Sequence, residues 1–323
     1  VLSKTKSKPT IKARALKKGN KVALVAPASR PESPAVVARC ERLLTSLGLQ
    51  PIVGEHVLSI QGFLAGNDRQ RLSDLNAFIH DESVRAIFCL TGGYGCLRLL
   101  EGIDYDAIAE SRKLFIGADD CTCLLNAIYA RTGMISLQAP NADQVKSEFT
   151  YDKLKEALFS SKPLETICAL PKDAAPPFKG QDFYCAFDGV AEGRLIGGNL
   201  TAYTSLLGTD FEPSAQDSLL FLEDINEKNG NLDRWFTSLY LSGQLQYANA
   251  VIAGSFENCS GRDAPNCLSI VDLFGDRLKY LRKPSCFGMP FGQQTDTSVI
   301  PIGVRAKVNC TTGTLEFLEP ALS

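Results

Sequence analysis

Apolar residues along this chain alternate between short continuous runs and helically spaced stretches. Lys21 to Ser29 reads as a first parallel strand ending in a polar turn. From Pro34 to Leu47 apolar residues recur with helical spacing at Val36, Val37, Cys40, Leu43, Leu44 and Leu47, and Gly48 follows as a C-cap. Gln50 to Val57 predicts a second strand, Arg69 to His80 an amphipathic helix, and Ala86 to Leu90 a buried strand. A helix around 95–100, a strand at 113–117, a helix from Cys121 and a short strand over Met134 to Pro140 continue the series. Such alternation predicts an α/β fold with a largely parallel sheet. Thr150 to Ser160 predicts a further helix. The stretch 163–179, with Pro163, Pro171, Pro176 and Pro177, reads as a linker. Beyond it the texture changes: a strand at Ser218 to Leu222, a helix at Leu232 to Leu241, a strand at Ala248 to Phe256, then short β segments through Leu318. The expectation is two domains, Rossmann-like with a parallel sheet over residues 1–162 and β-rich mixed over residues 180–323.

Composition narrows the function classes. The 323 residues are 45% apolar and 22% charged with a net charge of −2, which gives no bulk electrostatic case for binding nucleic acid or a membrane surface. No apolar run approaches the ~20 residues of a membrane span. Eleven cysteines are an odd number. Cys89, Cys96, Cys121, Cys123 and Cys310 sit inside apolar runs and predict free, buried thiols in a reducing compartment. Cys121-Thr-Cys123 lacks the two-residue gap of a redox or zinc pair. With only His56 and His80 present, a His-ligated metal is not expected, and no cofactor is implied. The first 21 residues are rich in lysine without an apolar core, so they do not read as a signal peptide. The compartment read from this is cytoplasmic; because the chain starts at Val1, a removed upstream segment is the alternative.

Two glycine corners carry the candidate chemistry. Thr91-Gly92-Gly93-Tyr94-Gly95 follows the run Ala86 to Leu90, and Gly117-Ala118-Asp119-Asp120 follows Leu114 to Ile116. A buried strand that breaks at glycine and enters a helix presents its chemistry at the carboxyl edge of an α/β sheet. With a functional side chain at the tip of the turn, the same arrangement is a nucleophile elbow. Here the tip is Asp119.

GGYGCLRLL, IDYDAI and KLFIGADDCT resemble the LD-carboxypeptidases, serine peptidases that trim peptidoglycan tetrapeptides. The family's elbow reads Gly-Tyr-Ser-Asp-hydrophobic-Thr; Gly117, Asp120 and Thr122 match it, and Asp119 falls on the serine. The likeness continues in the Val-Ala-Pro-Ala-Ser of the first strand, in Leu64-Ala65-Gly66-Asn67-Asp68 and in Gly197-Gly198-Asn199-Leu200, and so covers nearly the whole chain. It implies a Ser-Glu-His triad split across the domains, an interdomain cleft that takes a peptidoglycan-like fragment or related peptide conjugate, and a homodimer. Glu223, in Leu222-Glu223-Asp224, falls on the Glu position and Gln293, in Gly292-Gln293, on the histidine. Gln138 stands where the family has another histidine. A serine mechanism needs a hydroxyl and a base that takes its proton and returns it. Gln293 accepts no proton, and losing Ser or His from such a unit costs on the order of 10⁶ in turnover.

The resemblance also implies backbone oxyanion donors at Gly93 and Asp120, beside Gly92 and Tyr94. The GGYG run reads equally as a tight turn needing positive φ. Two carboxylates in one partly dry site push their pKa values apart and supply an acid and a base. Asp119 and Glu223 therefore predict carboxylate-based hydrolytic chemistry. A non-catalytic binder of the same ligand and a residual LD-carboxypeptidase are the alternatives.

Overall fold

The computed structural model of the chain describes residues 8–169, 183–259 and 268–323. Residues 170–179 of the expected linker, and the lysines before Lys8, lie outside the described residues. In chain order the first elements are β1 (Lys21–Val25), α1 (Pro34–Ser46), β2 (Gln50–Val53), α2 (Asp68–His80), β3 (Val84–Cys89), a 3-10 helix at Cys96–Gly102, α3 (Tyr105–Ser111), β4 (Leu114–Gly117), α4 (Cys121–Thr132), β5 (Ser136–Gln138) and α5 (Glu148–Phe159). There follow β6 (Ile167–Cys168), β7 (Tyr184–Phe187), β8 (Val190–Asn199), α6 (Leu200–Thr204), β9 (Ser218–Ile225), α7 (Asn229–Leu241), α8 (Gln244–Tyr247), β10 (Ala250–Glu257), α9 (Ile270–Leu278), β11 (Ser285–Phe287), β12 (Ile300–Ile302), β13 (Arg305–Asn309) and β14 (Thr314–Phe317).

Two sheets organise these elements. The six-stranded sheet runs β12-β5-β4-β3-β1-β2, and β1 to β5 within it are parallel. Its central strands read as unbroken apolar runs because helices cover both faces, and β4 is buried at every position. The eight-stranded sheet runs β6-β14-β13-β8-β9-β10-β11-β7, with a parallel centre, β8 to β11, and antiparallel margins. No helix among the described residues is long and apolar enough to cross a membrane.

The fold is the α/β architecture that the alternation predicts, with four local differences. β2 stops at Val53 instead of reaching Val57, because Asp74 of α2 takes the His56 backbone N–H at 2.9 Å and its ring at 2.7 Å, turning the chain away. The helix expected around 95–100 is a 3-10 turn entered through Gly95 at φ 123°. The C-terminal region contains a helix, α9, where only β segments were expected; Ser269 and Asp272 close a capping box at its start. Finally, β12 leaves the second sheet's stretch of sequence and pairs antiparallel with β5 in the first.

Side chains of α4 lock the two sheets together. Asn126 donates to the Gly197 carbonyl at 2.7 Å and accepts the Gly197 N–H at 3.2 Å. One turn earlier, the Thr122 hydroxyl accepts the Asn199 N–H at 3.0 Å. The helix that starts at the Asp119 turn is thus pinned to β8 by buried polar bonds, which are costly to break once desolvated.

Candidate active site

The turn after β4 is tight and strained. A Cβ on Gly117 would lie about 3.0 Å from Cys121 Cβ and 3.1 Å from Cys89 Sγ, so glycine is what lets the strand close onto the helix. The Ala118 N–H donates to Asn141 Oδ1 at 3.1 Å. Asp119 then adopts φ 56°, the left-handed region that side-chain-bearing residues rarely occupy. Strain of this kind, of order 1–3 kcal/mol, persists where the surroundings over-determine it and clusters at functional sites. Asp120 caps the turn differently: its Oδ2 accepts the Cys96 N–H at 2.7 Å.

The Asp119 carboxylate folds back onto the first glycine corner. Its Oδ2 accepts the Gly93 N–H at 2.8 Å, and a Cβ on Gly92 would stand 2.1 Å from that oxygen. Gly93 is fixed twice over, by φ 102° and by Ser29, whose Oγ would lie 2.2 Å from any Cβ there. Ser29 Oγ also accepts the Tyr94 N–H at 3.2 Å. Beneath the corner, buried Arg71 donates to the Gly95 carbonyl at 2.9 Å and to the Pro27 carbonyl. Tyr94 itself is 65% exposed and packs edge-to-face on Phe63 at 5.9 Å. The expected pair of open oxyanion donors is therefore changed: Gly93 is engaged by Asp119, while the Asp120 N–H has no acceptor among the described residues.

Glu223 lies within β9, not beyond its end as the sequence suggested. It is 0% exposed, and neither carboxyl oxygen has a hydrogen-bond partner among the described residues. Its neighbour Asp224 is fully engaged, accepting from Asn199 Nδ2 at 3.0 Å, from the Thr201 N–H at 3.1 Å and from the Thr201 hydroxyl at 2.9 Å. The Gly292–Gln293 segment runs over Glu223; a Cβ on Gly292 would be 3.0 Å from Glu223 Cβ. The Gln293 side chain nonetheless turns elsewhere. Its Oε1 accepts from Gln144 Nε2 at 2.9 Å, while the Gln293 backbone N–H donates to Ser255 Oγ at 3.0 Å. Gln138 is buried at the end of β5 and accepts from the Thr122 hydroxyl at 3.3 Å. His56 and His80 pair with Asp74 and Asp104.

Burial governs the charges. Desolvation raises Asp119 to about 7 against the opposing Gly93 hydrogen bond. Asp120 and Asp224 are each raised to about 6, again by burial first. Glu223 is pushed well above the usual carboxylate range by burial, then by the charges of Asp224 and Asp119. The Asp119 charge adds to the rise at Glu223. Among the described residues no group of three or more His, Cys, Asp and Glu is arranged to hold a metal ion.

Sequence profiles of the two halves of one family match this chain: the LD-carboxypeptidase N-terminal domain over residues 22–139 and the LD-carboxypeptidase C-terminal domain over residues 192–308. The chain belongs to the LD-carboxypeptidase family. A probable murein peptide carboxypeptidase of Bacillus subtilis is 33% identical over 92% of this chain and 91% of its own length. The murein tetrapeptide carboxypeptidase of Pseudomonas aeruginosa is 30% identical over 88% of this chain and 92% of its own length. The crystal structure of an MccF-like protein from Bacillus anthracis matches with a TM-score of 0.82 at 26% identity, covering 95% of this chain and 99% of that one.

In this member of the LD-carboxypeptidase family the structure brings Gly92, Gly93 and Asp119 into direct contact and sets Asp120 beside them. Gly292, next to Gln293, comes over Glu223, while the Gln293 side chain is turned to Gln144. Sequence reasoning missed Ser29, Arg71 and Ser255, which fix the two glycine segments, and Gln144, which holds Gln293. Ser29 sits in the quoted Ala-Pro-Ala-Ser segment and could have been found there; Ser255 and Gln144 carry no local signal.

Proposed function

We propose that this LD-carboxypeptidase-family protein acts on a peptidoglycan-fragment-like or related peptide-conjugate ligand, with Asp119 and Glu223 in place of the serine machinery. The observation that carries the reading is two buried carboxyls in unlike settings, Asp119 on the Gly93 N–H and Glu223 with neither oxygen partnered among the described residues. Asp119, at the tip of what we take to be the nucleophile elbow, ionises near neutrality, whereas Glu223 stays protonated. A base whose pKa lies near the working pH is the efficient one. In a hydrolysis Asp119 accepts a proton from the attacking water, and Glu223 gives its proton to the leaving group. Activity then rises with pH through about 7 as Asp119 ionises and falls where Glu223 loses its proton. The test is a panel of muropeptides and glycosides offered to the native protein and to Asp119→Asn. Turnover in the native protein that Asp119→Asn lacks supports the reading; equal traces on every substrate sink it.

A second reading rests on the Gly93 N–H, which Asp119 already occupies, leaving a developing oxyanion one donor fewer. On that reading the chain is a pseudoenzyme that binds or sequesters the ligand unchanged. Calorimetry followed by recovery of the muropeptide after days separates the two, since any turnover excludes it. Release of D-Ala from a tetrapeptide by the unmodified protein would instead support the residual peptidase.

The two-domain division at 163–179, a homodimer and a cytoplasmic location belong to the same proposal. A monomer mass in sedimentation at micromolar concentration would remove the dimer from it.

A further inference from the structure

The first sheet changes direction between β1 and β3, since successive strands run outward to β2 on one side and to β3, β4 and β5 on the other. In sheets of this order the crevice outside the carboxyl ends of those two strands is where ligands bind, because the turns diverge there and leave a gap. That gap is present here as a cavity of about 640 Å³, within the usual range of small-ligand sites. Its walls come from the β1 turn, from α1, from Thr91 and Gly92 of the β3 turn, and from the segment after β5.

The lining is chemically uneven. Val36, Leu43 and Val145 give it an apolar side. Arg30, Arg39 and Lys146 line it as well; all three are exposed, and none is in an ion pair among the described residues. Two acids oppose them, Glu32 and Asp143. Asp143 has one buried oxygen without a partner, and burial raises its pKa. The balance is an excess of guanidinium and ammonium donors over an apolar patch.

We propose that this cavity binds a small oxyanion, a carboxylate or a phosphate group, carried on a short apolar body. Arg30, Arg39 and Lys146 supply the charge-assisted donors, and a guanidinium suits two-oxygen recognition of either anion. The Asp119 and Glu223 side chains do not line the cavity. Gly92 is the shared wall, with the Asp119 carboxylate against it. The site therefore does not depend on the reaction proposed above, and its failure would leave that reading untouched.

The test titrates the full chain with inorganic phosphate and, separately, with N-acetyl-D-alanine, followed by calorimetry and ligand-observed NMR. At least one probe binds in the millimolar range or tighter, and which one binds names the source of the anion. The Arg39→Gln, Lys146→Gln double variant weakens binding by about tenfold or more. Arg30→Gln weakens it less, and Asp119→Asn leaves it within about twofold. Binding also falls as ionic strength rises. If neither probe binds the native protein, or if the folded double variant and Arg30→Gln both bind as the native protein does, the proposal is overturned.

Discussion

After β4 a carboxylate is held by the backbone; inside β9 a carboxyl is held by nothing. Asp119 has taken over a donor, the Gly93 N–H, at the edge of the first sheet. Glu223, in the second, has both oxygens buried and unpaired, with Gln293 bonded to Gln144 instead. The two carboxyls are thus treated differently by the chain around them. The Asp119 carboxylate reaches a backbone donor, and burial raises its pKa to about 7. Glu223 lacks a donor because the Gln293 side chain, which carries N–H groups, is turned to Gln144, and burial without a donor raises the Glu223 pKa. Comparing them teaches that the state of a buried carboxyl here is set by the donor within its reach.

The largest effect expected is on catalysis. Asp119→Ser with Gln293→His restores a hydroxyl and an imidazole around Glu223, and should release D-Ala from a tetrapeptide at a rate well over tenfold above either single variant, because triad members act as a unit. Chromatography of the released amino acid checks it. A folded double variant that binds a muropeptide without releasing D-Ala would mean that the residue at 293 still faces Gln144.

Next comes stability against pH. Glu223 has a raised pKa in the folded state. Below the unfolded value both states are protonated and no penalty exists; above it the unfolded chain ionises first, and stability drains away until the folded pKa is passed. Glu223→Gln cannot ionise, so its stability relative to the native protein should climb with pH above about 4.5, by up to ~1.4 kcal/mol per unit. Urea unfolding at several pH values measures this, and a difference that does not change with pH would contradict a protonated Glu223. Asp119→Asn keeps an acceptor for the Gly93 N–H. It should show the same sign over a window that closes near 7, where Asp119 ionises in the folded state. Smallest is Gln293→Ala, which loses the Gln144 bond and should cost roughly 0.5–1.5 kcal/mol with no dependence on pH.

Much of the first sheet was legible because its strands are short apolar runs between helical spacings, and the Asp119 turn because glycine and a following helix mark it. The Glu223 position was legible as well, but its isolation was not. That depends on where the Gln293 side chain points, and Gln144 decides it from far away in sequence. The occupied Gly93 donor is likewise a matter of one side-chain rotamer. α9 escaped although its capping residues Ser269 and Asp272 were in view, since at nine residues it is too short for a long periodic run to announce it.

β12 sets a timetable for the chain. Residues 300–302 close the outer edge of a sheet whose other strands end at Gln138. During synthesis the backbone of β5 waits, with its outer N–H and C=O groups unpaired, while six of the second sheet's eight strands are being made. An unpaired edge of that kind invites pairing with another chain. A nascent or truncated chain that stops short of Ile300 should therefore be the sticky form of this protein, and chaperone dependence should fall once that segment has left the ribosome.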